Sequence, residues 1–298
     1  MTGRPIYEAL RSALLASEPV ALVTVVAVDA DVDSELSRTG AGGQGSPASG
    51  APVALPRVGA KLLVAPPPPN GGDPVVVGAV GDVELDRVLV RDALAALDRG
   101  ITVTRHYGPQ GEARRGDVSV FIESFTAPPV MVIFGAVDFT AALAQAGKLL
   151  GYRVIVCDAR PVFATARRFP AADEVVVDWP DRLLARIGPE LTPRDAICVL
   201  THDTKFDVPA VLSALSTRAG YIGAMGSRRT HEERWRRLVE AGADEAALRA
   251  RLMSPIGLDI GARTPEETAV AICAEIVAAR AGIEVPSLRD AEGPIHRR

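Results

Sequence analysis

The sequence predicts an α/β protein, with a Rossmann-like, doubly wound parallel sheet in the C-terminal half behind a smaller N-terminal α+β domain. Three observations carry that reading. From Val130 onward, short continuous runs of Val, Ile and Leu alternate with helical stretches, as strands covered on both faces do. Before Thr126 most strands come in a run, with one long helical segment among them. Between the halves, Thr126-Ala-Pro-Pro129 reads as a linker, because paired prolines hold the backbone extended. A chain of 298 residues accommodates two domains of ordinary size, expected at 1–126 and 130–285 with a tail over 286–298.

The elements follow in order. Pro5 to Ala16 is an amphipathic helix, with Ile6, Leu10, Leu14 and Leu15 at helical spacing. Val20 to Val28 is a β-branched strand. From Asp29 to Pro56, around "GAGGQGSPASGAP", no apolar period survives and a long loop is expected. Lys61 to Ala65 and Pro74 to Val80 are strands, separated by a turn over "PPPPNGGD". A helix runs from Val83 to Asp98 on a stripe of Leu85, Val88, Leu89, Ala93 and Leu97, and Gly100 stops it. Ile101 to His106 and Asp117 to Phe125 complete the first domain as strands.

In the second domain the strands are Val130 to Phe134, Arg153 to Cys157, Glu174 to Val177, Ala196 to Leu200 and Gly220 to Ile222. A helix from Phe139 to Leu150 follows the first. Such a sheet places its ligand beyond the carboxyl ends of the strands. Arg228 to Ala241 is a charged helix with Trp235 and Leu238 facing inward. Thr264-Pro-Glu-Glu267 opens the last helix as a capping box with proline at the first helical position.

Composition excludes some functions. A formal charge of −4 argues against a broad polyanion surface, so no nucleic-acid partner is expected. Cys157, Cys198 and Cys273 lie far apart inside apolar runs, which fits buried thiols rather than a zinc site or a disulfide framework. No apolar run reaches a membrane span and no signal core opens the chain, so a cytoplasmic protein is expected.

The chemistry should sit where strands end. The first strand of the second domain runs into "IFGAVDFTAAL", where a dinucleotide fold would have Gly-x-Gly-x-x-Gly. Gly135 supplies the first glycine, but Val137 and Thr140 occupy the second and third positions. A β-branched Val137 would crowd a pyrophosphate and resist positive φ, so ordinary NAD(P) binding is impaired. Asp158 ends the next strand, where a ribose-binding carboxylate or a plain turn residue belongs, and Arg160 follows it. The strand ending in "LTHDTKFDVPA" brings His202, Asp203, Lys205 and Asp207 to the same edge. In "YIGAMGSRRTHEERW", Gly223 and Gly226 permit a tight turn, Ser227 can cap, and Arg228 and Arg229 flank a helix start that favours an anion. The alternative for the two arginines is a solvated pair bridged to Glu232 and Glu233.

"YIGAMGSRRT", "LTHDTKFDVPA" and "SPIGLDIGARTPEETAVAICAEIVAAR" together resemble the xanthine dehydrogenase accessory (XdhC/CoxI) family, over the C-terminal half. "ALVTVVAV" and "LPRVGAKLLV" resemble its other domain more weakly. The resemblance implies a two-domain maturation factor, dimeric or larger, that handles a cofactor as a chaperone does, and whether it also catalyses a reaction stays open. Such a factor would hold molybdenum cofactor (molybdopterin or its dinucleotide), protect it during sulfuration by a sulfur-transfer enzyme, and pass it to a molybdenum hydroxylase apoenzyme. Two departures stand out: Asp82 in "GAVGDVELD" replaces the family's cysteine, and "GAVD" replaces its Gly-Ala-Gly-His. A carboxylate is not the soft ligand that a thiolate is. On this reading Arg228, Arg229 and the Gly226 region hold phosphate, Gly135 and Asp158 meet the nucleotide end, and His202 and Asp203 line the edge. An NAD(P)-dependent oxidoreductase using Asp158 and Arg160 is the alternative, and an interaction module with a decayed ligand site is a third.

Overall fold

The computed structural model describes residues 3–29, 56–68, 71–112, 116–201, 203–283 and 285. The loop expected over 30–56, His202 and the 286–298 tail fall outside the described residues, except for Pro56 at the loop's end. The chain divides into two compact units, Met1–Ala127 and Pro128–Arg298.

The first unit is a five-stranded antiparallel sheet with a helix packed on each face. Its elements are α1 (Gly3–Ala16), β1 (Val20–Val28), β2 (Lys61–Ala65), β3 (Val75–Ala79), α2 (Val83–Arg99), β4 (Val103–Tyr107) and β5 (Val118–Phe125), and the sheet order is β3-β2-β1-β5-β4. Side chains alternate across a strand, so Ala21, Val23 and Val25 pack with Leu85, Leu89, Ala93 and Leu97 of α2. Val20 and Leu22 face the other way, onto Ile6 and Ala13 of α1. The apolar stripe of α1 is therefore Ile6, Leu10 and Ala13, whereas Leu14 and Leu15 are 48% and 76% exposed. That corrects the expectation from spacing. The helical period fits more than one face, and the contact with β1 and β2 selects which one is buried.

The second unit is a six-stranded parallel sheet in the order β11-β10-β9-β6-β7-β8. Its strands are β6 (Val130–Phe134), β7 (Arg153–Cys157), β8 (Glu174–Val176), β9 (Ala196–Val199), β10 (Tyr221–Ala224) and β11 (Leu252–Met253). Its helices are α3 (Asp138–Leu149), α4 (Pro180–Ile187), α5 (Thr204–Leu215), α6 (Arg228–Glu240), α7 (Glu245–Arg251) and α8 (Pro265–Ala281). Met131, Ile133, Val154, Val156 and Cys198 bury against α3 and α8. Val132, Phe134, Ile155, Ile197 and Val199 bury against α4 to α7. Two apolar faces per strand explain the unbroken Val/Ile runs. The two-residue β11 carries no run of its own, and the sequence reading omits it. At the start of α8, Thr264 accepts from the Glu267 amide while the Glu267 carboxylate accepts from Thr264, a complete capping box.

The order of strands fixes the functional edge. From β6 the chain moves outward through β7 to β8, then returns to the other side of β6 with β9 and moves on to β10 and β11. Loops leaving β6 and β9 diverge to opposite faces, which opens a crevice at the carboxyl ends of these two strands.

Candidate ligand pocket

A pocket of about 460 Å³ lies in that crevice, lined by Val137, Arg160, Thr201, Asp203, Thr204 and Phe206. Its floor depends on one glycine. Gly135 ends β6 at φ +109°, and a Cβ there would stand 2.8 Å from the Thr201 methyl and 3.0 Å from the Thr201 amide nitrogen. The turn after β6 can pass this close to β9 only without a side chain. Val137 then adopts an extended backbone (φ −107°), so the second glycine position makes no demand for positive φ. The valine side chain lines the pocket, and no side chain caps α3.

Asp158 does not face the pocket as an open carboxylate. Its Oδ1 accepts from the Arg160 amide and from Arg160 Nε, both at 2.9 Å, and its Oδ2 accepts from Arg160 Nη2 and the Ala136 amide, both at 2.8 Å. Four donors fill the roughly four acceptor positions of a carboxylate. Burial alone would raise the Asp158 pKa, but the Arg160 fork and the two amides outweigh it and hold the group below its ordinary value. Arg160 is also fixed from one side, its guanidinium carbon lying 4.6 Å from the Phe163 ring centre. The fork uses Nε and Nη2, and the Arg160 side chain, 44% exposed, lines the pocket. Arg168 ties the surrounding loop down by donating to the carbonyls of Ala136 and Phe163.

The opposite wall comes from β9 and α5. Asp203 caps α5 by accepting from the Lys205 amide, and the Lys205 ammonium lies 3.7 Å from its other oxygen. Thr201 donates to Asp207, whose second oxygen accepts from Arg234. Arg234 also reaches Ser254 and the Met225 carbonyl, so a buried polar chain links the pocket wall to α6.

The turn from β10 to α6 forms no part of this lining. Gly226 precedes the helix and Ser227 caps it by accepting from the Thr230 amide. Arg229 is exposed and paired with Glu233 at 3.3 Å, which is the solvated alternative for this arginine; Arg228 is half-buried at the helix start. Gly223 sits inside β10, where a Cβ would meet Ile256 at 2.5 Å, so it serves packing. Among the anticipated residues, Arg160 and Asp203 therefore meet at the pocket, with Gly135 and Asp158 behind them. Gly226 to Arg229 lie apart.

Sequence reasoning missed Phe206, Thr201 and Arg234. The apolar Phe206 within a polar stretch of sequence was a usable signal. No metal-binding group of three or more His, Cys, Asp or Glu exists among the described residues. Cys157 is fully buried, donates to the Asp178 carbonyl, and has its pKa pushed up to about 12, mainly by burial. Asp82 caps α2 by accepting from the Glu84 amide. Among the described residues, no helix is long and apolar enough to cross a membrane.

Sheet order and the crevice between β6 and β9 define a Rossmann-type domain. Residues 131–276 match the XdhC Rossmann domain. The chain is 33% identical over 167 residues to a probable xanthine dehydrogenase subunit from Bacillus subtilis (strain 168), covering 56% of this chain and 48% of that protein. It is 28% identical over 100 residues to the molybdenum cofactor insertion chaperone PaoD of Escherichia coli (strain K12), covering 34% and 31% respectively. The chain thus spans half or less of the length of these curated relatives. A crystal structure of a xanthine dehydrogenase from Bacillus halodurans aligns over 93% of this chain and 96% of its own, with 20% identity and a TM-score of 0.47.

Proposed function

We propose that this chain is a maturation factor for a molybdenum hydroxylase of the xanthine, aldehyde or carbon monoxide dehydrogenase type. It holds molybdenum cofactor or a related phosphorylated pterin in the pocket of the C-terminal unit and assists its sulfuration or insertion without turnover. The observation that carries the reading is the Arg160 guanidinium beside the α3 start, where no side-chain cap competes for an anion. The names of the two curated relatives support the choice of cofactor and client. Its working partners are the apoenzyme, a sulfur-transfer enzyme and a second copy of the chain.

The residues fit the organic and phosphate parts of such a cofactor. They offer no soft ligand to its metal, since Cys157 is a buried neutral thiol and Asp82 is occupied as a helix cap. On this reading phosphate binding shifts from the arginines of α6 to Arg160, because Arg160 lines the pocket and Arg228 and Arg229 do not. The oxidoreductase reading loses its ribose ligand, as Asp158 has no acceptor position left. Calorimetric titration with isolated molybdenum cofactor tests the proposal. Saturable binding that Arg160→Ala weakens at least about tenfold, and Arg229→Ala barely changes, is expected. Absence of binding would overturn it, and a thermal shift by NADPH in its place would favour the oxidoreductase.

A further inference from the structure

We infer that the side of this pocket formed by Arg160 and Phe206, with Trp179 packed on Phe206, is a stacking subsite for a planar fused heterocycle, the chemistry a pterin and a purine share. The inference rests on the reading that the pocket takes a phosphorylated ligand, and it specifies where the ring of that ligand lies.

Three planar groups meet here: Arg160 from the loop after β7, Trp179 from the residue before α4, and Phe206 from the first turn of α5. The Phe206 ring lines the pocket, and the Trp179 ring stands 4.9 Å from it, tilted by 43°. The Arg160 guanidinium lies 5.9 Å from the Phe206 ring centre on the pocket side. Trp179 is 38% exposed beside its partner. The orientation of Arg160 is fixed before any ligand arrives, by its two-pronged bond to Asp158 and by Phe163 beneath it. A guanidinium held flat is a stacking surface as well as a charge, because it is weakly hydrated and delocalised. The polar groups opposite are Thr201, Asp203 and Thr204. They can accept from ring amino groups, while Arg160 and the α3 start take an anionic tail. A cavity of about 460 Å³ admits a bicyclic ring with such a tail.

The chain has two tryptophans, so a Trp235→Phe protein leaves Trp179 as the sole emitter. That full-length protein is titrated with neopterin, GMP, AMP and ribose 5-phosphate, following Trp179 emission and thermal shift. Saturable quenching by a fused-ring probe, with ribose 5-phosphate binding more weakly and leaving emission unchanged, is expected. Preference for neopterin identifies a pterin ligand; preference for a nucleotide identifies a purine. Phe206→Leu should weaken the ring probes by roughly tenfold to a hundredfold and ribose 5-phosphate much less, with Phe206→Tyr restoring ring binding. If all phosphates bind alike and Phe206→Leu changes nothing, the stacking subsite is wrong and the phosphate pocket stands. If neither these probes nor isolated molybdenum cofactor binds saturably, the pocket reading fails and the subsite falls with it.

Discussion

Arg234 Nη2 donates to Asp207 Oδ2 at 2.9 Å, and each side chain is only 2% exposed. Further bonds hold this buried pair: Thr201 donates to Asp207, while Ser254 and the Met225 carbonyl accept from Arg234, whose Nε alone has no hydrogen-bond partner among the described residues. Removing one partner strands the other charge. Arg234→Ala or Asp207→Ala should each cost about 3–5 kcal/mol in urea unfolding. A double Asp207→Leu, Arg234→Met variant should be more stable than either single change. Additive losses would show that the two groups do not depend on each other.

One turn before Arg234, the His231 ring is half-buried and its Nδ1 has no partner among the described residues. Burial lowers its pKa, Arg234 and Arg228 lower it further, and Glu232 only partly offsets them. The unfolded chain takes up this proton near pH 6.5, whereas the folded chain resists until lower pH. Below about pH 6.5 the unfolded state therefore binds more protons, and stability falls as pH drops through that window. His231→Gln should flatten the loss of melting temperature between about pH 7 and 5. Parallel slopes in the two proteins would place the ring in water.

The fold was legible because each parallel strand needs two apolar faces, and that demand writes itself into consecutive residues. Gly135, Asp158, Arg160 and Asp203 were legible for a related reason, since topology places residues at strand ends along one edge. Arg234 was not. It lies beside Trp235 and Leu238 on a helix whose charges read as solvated, and its burial depends on Asp207, 27 residues away. The Trp179–Phe206 contact likewise joins the starts of two helices with no shared local pattern. Pairings that only the folded sheet creates leave no period in the chain.

Thiol chemistry should report on the Asp82 departure from the family pattern. Cys157, Cys198 and Cys273 are buried, and burial pushes the pKa of each upward. Native protein should therefore react with a thiol reagent near pH 8 only as fast as it opens, and urea should accelerate the reaction. Asp82→Cys should add one thiol that reacts before unfolding. The same change removes the cap accepted from Glu84 and should cost about 1 kcal/mol. Rapid labelling of the parent protein would contradict the burial of its cysteines.

Two glycines with positive φ separate backbone strain from crowding. Gly151 (φ +81°) has no atom within 4 Å of a would-be Cβ, while at Gly135 (φ +109°) that atom would press on Thr201 from 2.8 Å. Gly151→Ala should carry only the conformational cost, about 1 kcal/mol. Gly135→Ala adds a clash with the Thr201 methyl and amide just after β9, so a further loss of about 1–3 kcal/mol is expected. Because Thr201 lines the pocket and donates to Asp207, the displacement reaches both the binding wall and the buried ion pair. Gly135→Ala should therefore weaken pterin or nucleotide binding even at temperatures where the variant is fully folded, whereas Gly151→Ala should bind as the parent does. Equal binding by the two variants would mean that the turn after β6 can move without disturbing the pocket.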